Sequence, residues 1–105
     1  MGKGVVLGVF VADAAYRAAR MPNMGETIMG TSFALGPGGK GSNQAVACAR
    51  MGAETHIITK LGQDDFAKLA LDTWKQAGVI PHVEQVSDSY TGAAHIFIED
   101  STGDN

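Results

Sequence analysis

A single cysteine, Cys48, is all the thiol chemistry in this chain of 105 residues. It excludes an internal disulfide and points to a reducing compartment, the cytoplasm being the simplest setting. Sitting in a stretch with helical spacing, Cys48 reads as a small packing residue rather than a reactive thiol. No run of lysine or arginine occurs, and the formal net charge is −3. The clustered positive surface that neutralises phosphates is lacking, so no nucleic acid partner is expected. No apolar stretch approaches the roughly 18 residues of a membrane span. Asp13 and Arg17 also interrupt the apolar start too early for a secretion signal. His56, His82 and His95 lie far apart without metal-ligand spacing. They read as surface or core residues, and no metal site is expected.

Hydrophobic residues make up 45% of the chain and charged residues 18%. That suits one domain with a buried core. "GVVLGVFV" (4–11) is a near-continuous apolar run, as expected of a strand covered on both faces of a parallel sheet. Asp13 would then stand at the ligand-binding, C-terminal end of that strand. "AAYRAARMPNMGE" reads as irregular, and "TIMGTSFAL" (27–35) as extended and half exposed.

Residues 41–52 have helical spacing through Ala45, Val46, Ala49 and Met51, with Ser42 placed to cap the start and Gly52 to end it. A strand is expected at 54–62. An amphipathic helix follows at 64–78, with Phe66, Leu69, Ala70 and Trp74 on its core stripe. Strands at 79–87 and 90–100 complete the alternation, the second with Ala94, Ile96 and Ile98 on one face and Ala93, His95 and Phe97 on the other. Turn residues occupy 100–105 with no returning strand, which reads as a truncated chain with an open sheet edge. The fold class is α/β.

"GPGGKG" (36–41) satisfies a dinucleotide-binding glycine spacing through Gly36, Gly38 and Gly41, but its context fails. The segment before it is not a buried first strand, Pro37 lies inside the turn, and Thr59 and Lys60 stand where a ribose-binding acid would be required. As a nucleotide phosphate loop it fails because Gly41, and not Lys40, precedes Ser42. What fits is a backbone cradle for hydroxyl groups. Glycines admit close approach, the helix start offers free N–H groups, Lys40 and Asn43 offer donors, and Asp13 offers a carboxylate acceptor.

"VVLGVFVAD", "PNMGETIMG", "GPGGKGSNQAVACARMGAE", "KLGQDDF" and "TGAAHIFIED" together, in this order, resemble the N-terminal third of the ribokinase branch of the PfkB-type carbohydrate kinases. The resemblance implies a ribokinase-like three-layer α/β sandwich with a small β-sheet lid, of which this chain is the N-terminal part only. The lid strands would lie near 26–36 and 90–100. It implies sugar binding by Asp13, Gly38, Gly39, Lys40 and Asn43, and a homodimer formed through the lid. It also implies ATP and Mg2+ as cofactors, with a monovalent cation as a further one. The implied reaction moves the ATP γ-phosphate to a primary hydroxyl of ribose or a related pentose. The catalytic base and the ATP site would lie outside this chain, which is expected to be inactive alone and to contain no catalytic residue. The alternative is a sugar-binding or lid-mediated dimerisation module without catalysis. One position departs from the resemblance: ribokinases carry a sugar-binding Asn two residues before the strand-end Asp, and here that residue is Val11.

Overall fold

A computed structural model describes residues 2–103 and contains two three-stranded sheets. The elements run β1 (Lys3–Leu7), β2 (Val11–Ala18), β3 (Ser32–Gly38), α1 (Lys40–Arg50), β4 (Glu54–Gly62), α2 (Asp65–Ala77), β5 (Val79–Val86) and β6 (Gly92–Glu99). The first sheet, β1-β4-β5, is wholly parallel. The second, in the order β3-β2-β6, pairs β2 antiparallel with β3 and parallel with β6.

The apolar run 4–11 is therefore not one strand. β1 ends at Leu7, residues 8–10 carry the chain between sheets, and β2 begins at Val11. Packing against α1 accounts for the break. A Cβ on Gly8 would lie 2.8 Å from the Cα of Gly41, so only two glycines let this junction touch the first turn of the helix. The Gly8 N–H donates to the Ile58 carbonyl at 3.3 Å, and the Ser42 N–H donates to the Val9 carbonyl at 3.3 Å. Hydrophobicity runs unbroken across this change of sheet, so the pattern alone does not reveal it.

Two further expectations change. Residues 14–18, read as irregular, continue β2, because the strand is paired on both sides and pairing outweighs the weak strand preference of alanine. The extended segment read at 27–35 becomes β3 only from Ser32, so Gly36, Pro37 and Gly38 belong to a strand rather than a turn. The helices, β4, β5 and β6 fall within a few residues of expectation. The turn at 100–103 is present, while Asp104 and Asn105 lie outside the described residues.

Both helices pack on one face of the first sheet. Ala45, Ile57, Leu61, Ala67, Ala70, Trp74 and Val79 are buried together there with Phe10 and Ala12. Trp74 is the largest fully buried side chain. It meets Phe10 edge-on, with ring centroids 5.9 Å apart, tying α2 to the junction between sheets. α2 starts where Asp64 accepts from the Ala67 N–H at 2.9 Å and stops at Gly78, whose φ of 85° suits a residue lacking Cβ. Met51, expected on the α1 stripe, is instead exposed at the helix end. The opposite face of the first sheet carries Val5 and Leu7, which are 66% and 82% exposed. β1 is thus covered on one face by the described residues, not on both.

That open face also brings together two histidines that are far apart in sequence. His56 Nδ1 and His82 Nε2 are 2.9 Å apart, and His56 Nε2 lies 3.0 Å from Glu54 Oε2. Pairing of β4 with β5 produces the contact, which residue spacing could not show.

Candidate sugar-binding site

The second sheet positions Asp13. It is the third residue of β2, in the central strand, and not at the end of β1 as the strand reading expected. Residues opposite one another in paired strands share a face. Asp13 is opposite Gly36 on one side and Ala94 on the other. Val11 is likewise flanked by Gly38 and Gly92, and Ala15 by Ala34 and Ile96. The carboxylate therefore stands on a floor of small apolar groups.

Gly38 makes this possible. A Cβ there would overlap the Asp13 carboxylate, coming within 2.6 Å of its Cγ. Gly39 follows with φ of 91° and serves as the N-cap of α1, without any side-chain cap bond. A Cβ on Gly39 would also meet the Val9 carbonyl at 2.5 Å and the Val11 nitrogen at 2.9 Å. The two glycines thus answer different demands: room for a side chain at Gly38, and a left-handed backbone pressed against another strand at Gly39.

Ser42 is not the cap that its position suggested. It is buried, and its hydroxyl accepts a hydrogen bond from Trp74 Nε1 at 2.9 Å. This fixes the first turn of α1 from below. Lys40 and Asn43 are exposed on that turn, where the Asn43 N–H donates to the Gly39 carbonyl at 2.9 Å. Asn43 lines a surface hollow with Pro37, Ser42 and Thr73. Asp13 and Gly38 are in direct contact, whereas no hydrogen bond or ion pair among the described residues joins Lys40 or Asn43 to Asp13.

Two polar clusters brace the sheet. At the end near α2, the Thr91 hydroxyl accepts from the Gly62 N–H at 2.9 Å, and the Thr91 N–H donates to Asp64 Oδ2 at 2.9 Å. Hydrogen bonding from the Thr91 side chain, then from its N–H, holds the Asp64 carboxyl below its ordinary range. This knot fastens β6 to the first sheet; "KLGQDD" contains two of its members, but nothing in the sequence links them to Thr91. At the far end, Thr31 donates to Asp100 Oδ2 at 2.8 Å, and the Asp100 N–H donates to the Ala18 carbonyl at 2.9 Å.

The loop between β2 and β3 is held by Arg20 and Glu26, whose two hydrogen bonds measure 2.7 and 2.8 Å. The Asn23 N–H adds a third at 2.9 Å. Arg20 chiefly, and then Asn23, bring the Glu26 carboxyl down to about 2.

Comparison with known proteins places this geometry. The model of the pfkB family carbohydrate kinases matches residues 1–105. Ribokinase of Bacillus subtilis is 41% identical over 101 residues, a match covering 95% of this chain and 34% of that protein. Deoxyribokinase of Salmonella typhi is 36% identical over 94 residues, covering 89% of this chain and 31% of that protein. The solved structure of Arabidopsis thaliana ribokinase complexed with ribose and ATP superposes with a TM-score of 0.88 at 32% identity, covering 95% of this chain and 34% of that one. The chain spans about a third of the length of these relatives. Its two sheets and two helices have the α/β arrangement of the ribokinase structures, and the chain belongs to the pfkB family of carbohydrate kinases.

Proposed function

We propose that this chain forms the sugar-holding part of an ATP-dependent pentose kinase of the ribokinase type. The observation that supports it most is the Asp13 carboxylate standing over Gly38, beside the N-terminus of α1. A carboxylate accepts two hydroxyl hydrogen bonds at once, and the unobstructed glycines let a ring lie against the backbone. Lys40 and Asn43, exposed on the adjoining helical turn, would close on the sugar from the other side.

Holding the sugar this way orients its primary hydroxyl for attack on a γ-phosphate, and positioning is most of what phosphoryl transfer asks of a protein. The chemistry of ATP, Mg2+ and a monovalent cation belongs, in this reading, to the remaining two thirds of the family fold. Among the described residues no three His, Cys, Asp or Glu side chains converge as metal ligands, so no part of that chemistry is assigned to them. We place that remainder of the family fold over the exposed Val5 and Leu7 face of the first sheet.

The second sheet would act as the lid. Its face opposite Asp13 leaves Tyr16, Phe33 and Leu35 between 43% and 57% exposed, and Tyr16 packs on Phe33 and His95 with centroids 5.0 Å apart in each case. An apolar, aromatic face of this kind suits burial against a second copy. That face is also what favours the second reading, a sugar-binding or dimerisation module without catalysis.

A chimera separates the two. This chain would replace the N-terminal third of the Bacillus subtilis ribokinase, and ATP-dependent phosphorylation of pentoses would be followed. Activity that disappears with Asp13→Ala supports the kinase reading. A folded chimera that binds pentose without turnover favours the module.

A further inference from the structure

The open face of the first sheet holds a side-chain cluster that the sugar site does not use. His56 is the third residue of β4 and His82 the fourth of β5. Separated by 26 positions, they have no metal-ligand spacing in the sequence, and strand pairing supplies it. His56 Nδ1 and His82 Nε2 are 2.9 Å apart, while the ring centroids are 5.1 Å apart and the planes inclined by 22°. The rings therefore meet nitrogen edge to nitrogen edge.

Glu54 decides which nitrogen is bare. Its Oε2 accepts from His56 Nε2–H at 3.0 Å, so a neutral His56 keeps its lone pair on Nδ1, the nitrogen that faces His82. A carboxylate on the far ring nitrogen is the partner that metal-ligating histidines usually have. Lys3, with Nζ 3.8 Å from Glu54 Oε2, brings a positive charge that this carboxylate balances. His82 is exposed, so its ring can carry the proton on Nδ1 and turn Nε2 outward as a second donor. Two imidazole nitrogens about 2.05 Å from one metal stand about 2.9 Å apart at a right angle and about 3.3 Å apart at a tetrahedral one. The observed separation matches the right angle. A hollow of about 500 Å³, lined by Lys3, Val5, Glu54, His56, Ile58 and His82, leaves the remaining positions of the metal to water.

We propose that His56 and His82 form a binding site for a late first-row divalent metal ion, Cu2+ most tightly, with Glu54 as the positioning residue that orients His56. Imidazole ligands and right-angled geometry favour Cu2+ and Ni2+, and Cu2+ leads the affinity order of the divalent ions. Mg2+ prefers oxygen ligands, so this is not the Mg2+ of the kinase reading and does not depend on that reading. The site bridges β4 and β5 in the first half of each strand, whereas the chain leaves towards Asp13 from the last residue of β1.

Titration of the 105-residue chain with Cu2+ alone, followed by calorimetry and electron paramagnetic resonance, tests the proposal. One ion per chain, ligated by two imidazole nitrogens, is expected. His56→Ala and His82→Ala should each weaken binding tenfold or more and leave one imidazole nitrogen on the metal, with thermal melts confirming that the variants are folded. Glu54→Ala should keep the two-nitrogen signature while affinity falls tenfold or more. An unchanged affinity there overturns the role given to Glu54. NMR of the unaltered chain with substoichiometric Cu2+ decides the matter even if a variant does not fold. The ring signals of His56 and His82 should broaden, and those of His95 should not. Cu2+ that binds both histidine variants as tightly as the unaltered chain, that broadens His95 or another part of the chain instead, or that does not bind, overturns the proposal.

Discussion

The indole Nε1 of Trp74 donates a hydrogen bond to the Ser42 hydroxyl at 2.9 Å, both groups being buried. The bond joins the last turn of α2 to the first turn of α1, the turn that carries Lys40 and Asn43. Trp74→Phe keeps an aromatic ring against Phe10 but leaves the Ser42 hydroxyl unpartnered. It is expected to lower stability in urea unfolding by about 1 to 3 kcal/mol. In a double-mutant cycle with Ser42→Ala the two effects should fall clearly short of adding, since either change removes the same bond. Full additivity would mean that the pair is not coupled.

Gly38 and Gly39 are adjacent, yet substitution should harm different properties. Alanine at Gly38 would drive the Asp13 carboxylate from its place, so pentose affinity should fall by tenfold or more while the melting temperature changes little. Alanine at Gly39 meets backbone rather than a movable side chain and must adopt φ near 91°. Its cost should appear as lost stability of about 1 to 3 kcal/mol. Thermal melts and sugar titrations on the two variants would reveal a reversal of this pattern if the assignment of roles is mistaken.

How much of this was legible in the sequence depends on the range of the interaction. Helix α2 was readable almost to its ends because its signals are local: Asp64, an apolar stripe and Gly78. The glycines, Lys40 and Asn43 of the proposed cradle could be grouped in the sequence because they lie within eight positions, and the structure keeps them together at the end of β3 and the first turn of α1. The place of Asp13 was not. It depends on the chain leaving one sheet at Gly8 and entering another at Val11, a step enforced by the contact of Gly8 with Gly41 across 33 positions. Ala94 and Ile96 were recognised as sharing a face of β6, but only its pairing with β2 places them beside Asp13. The meeting of His56 with His82 is of the same kind, set by the register of two strands.

The Glu26 carboxyl provides a pH-dependent test of the loop between β2 and β3. Its folded pKa, at about 2, lies below the ordinary value of 4.5. A carboxyl lowered by folding stabilises the folded state above its unfolded pKa, and that contribution is lost as the pH falls through the folded value. The stabilisation should fade progressively between about pH 4.5 and pH 2, while the Arg20 contact itself persists in the folded chain until the carboxyl protonates near pH 2. Carbon-13 NMR of the Glu26 carboxyl should show a midpoint near 2, moving towards 4.5 in Arg20→Gln. An unchanged midpoint in the variant would show that Arg20 is not the cause.

The most direct test of the sugar site is a pentose titration of the chain followed by its backbone amide NMR signals. The amides of Asp13, Gly38, Gly39, Lys40 and Asn43 should shift together along one saturating curve, and Asp13→Asn should abolish that curve while leaving the rest of the spectrum folded. Shifts that are absent, that centre on another part of the chain, or that survive Asp13→Asn unchanged would contradict a sugar site built on this carboxylate.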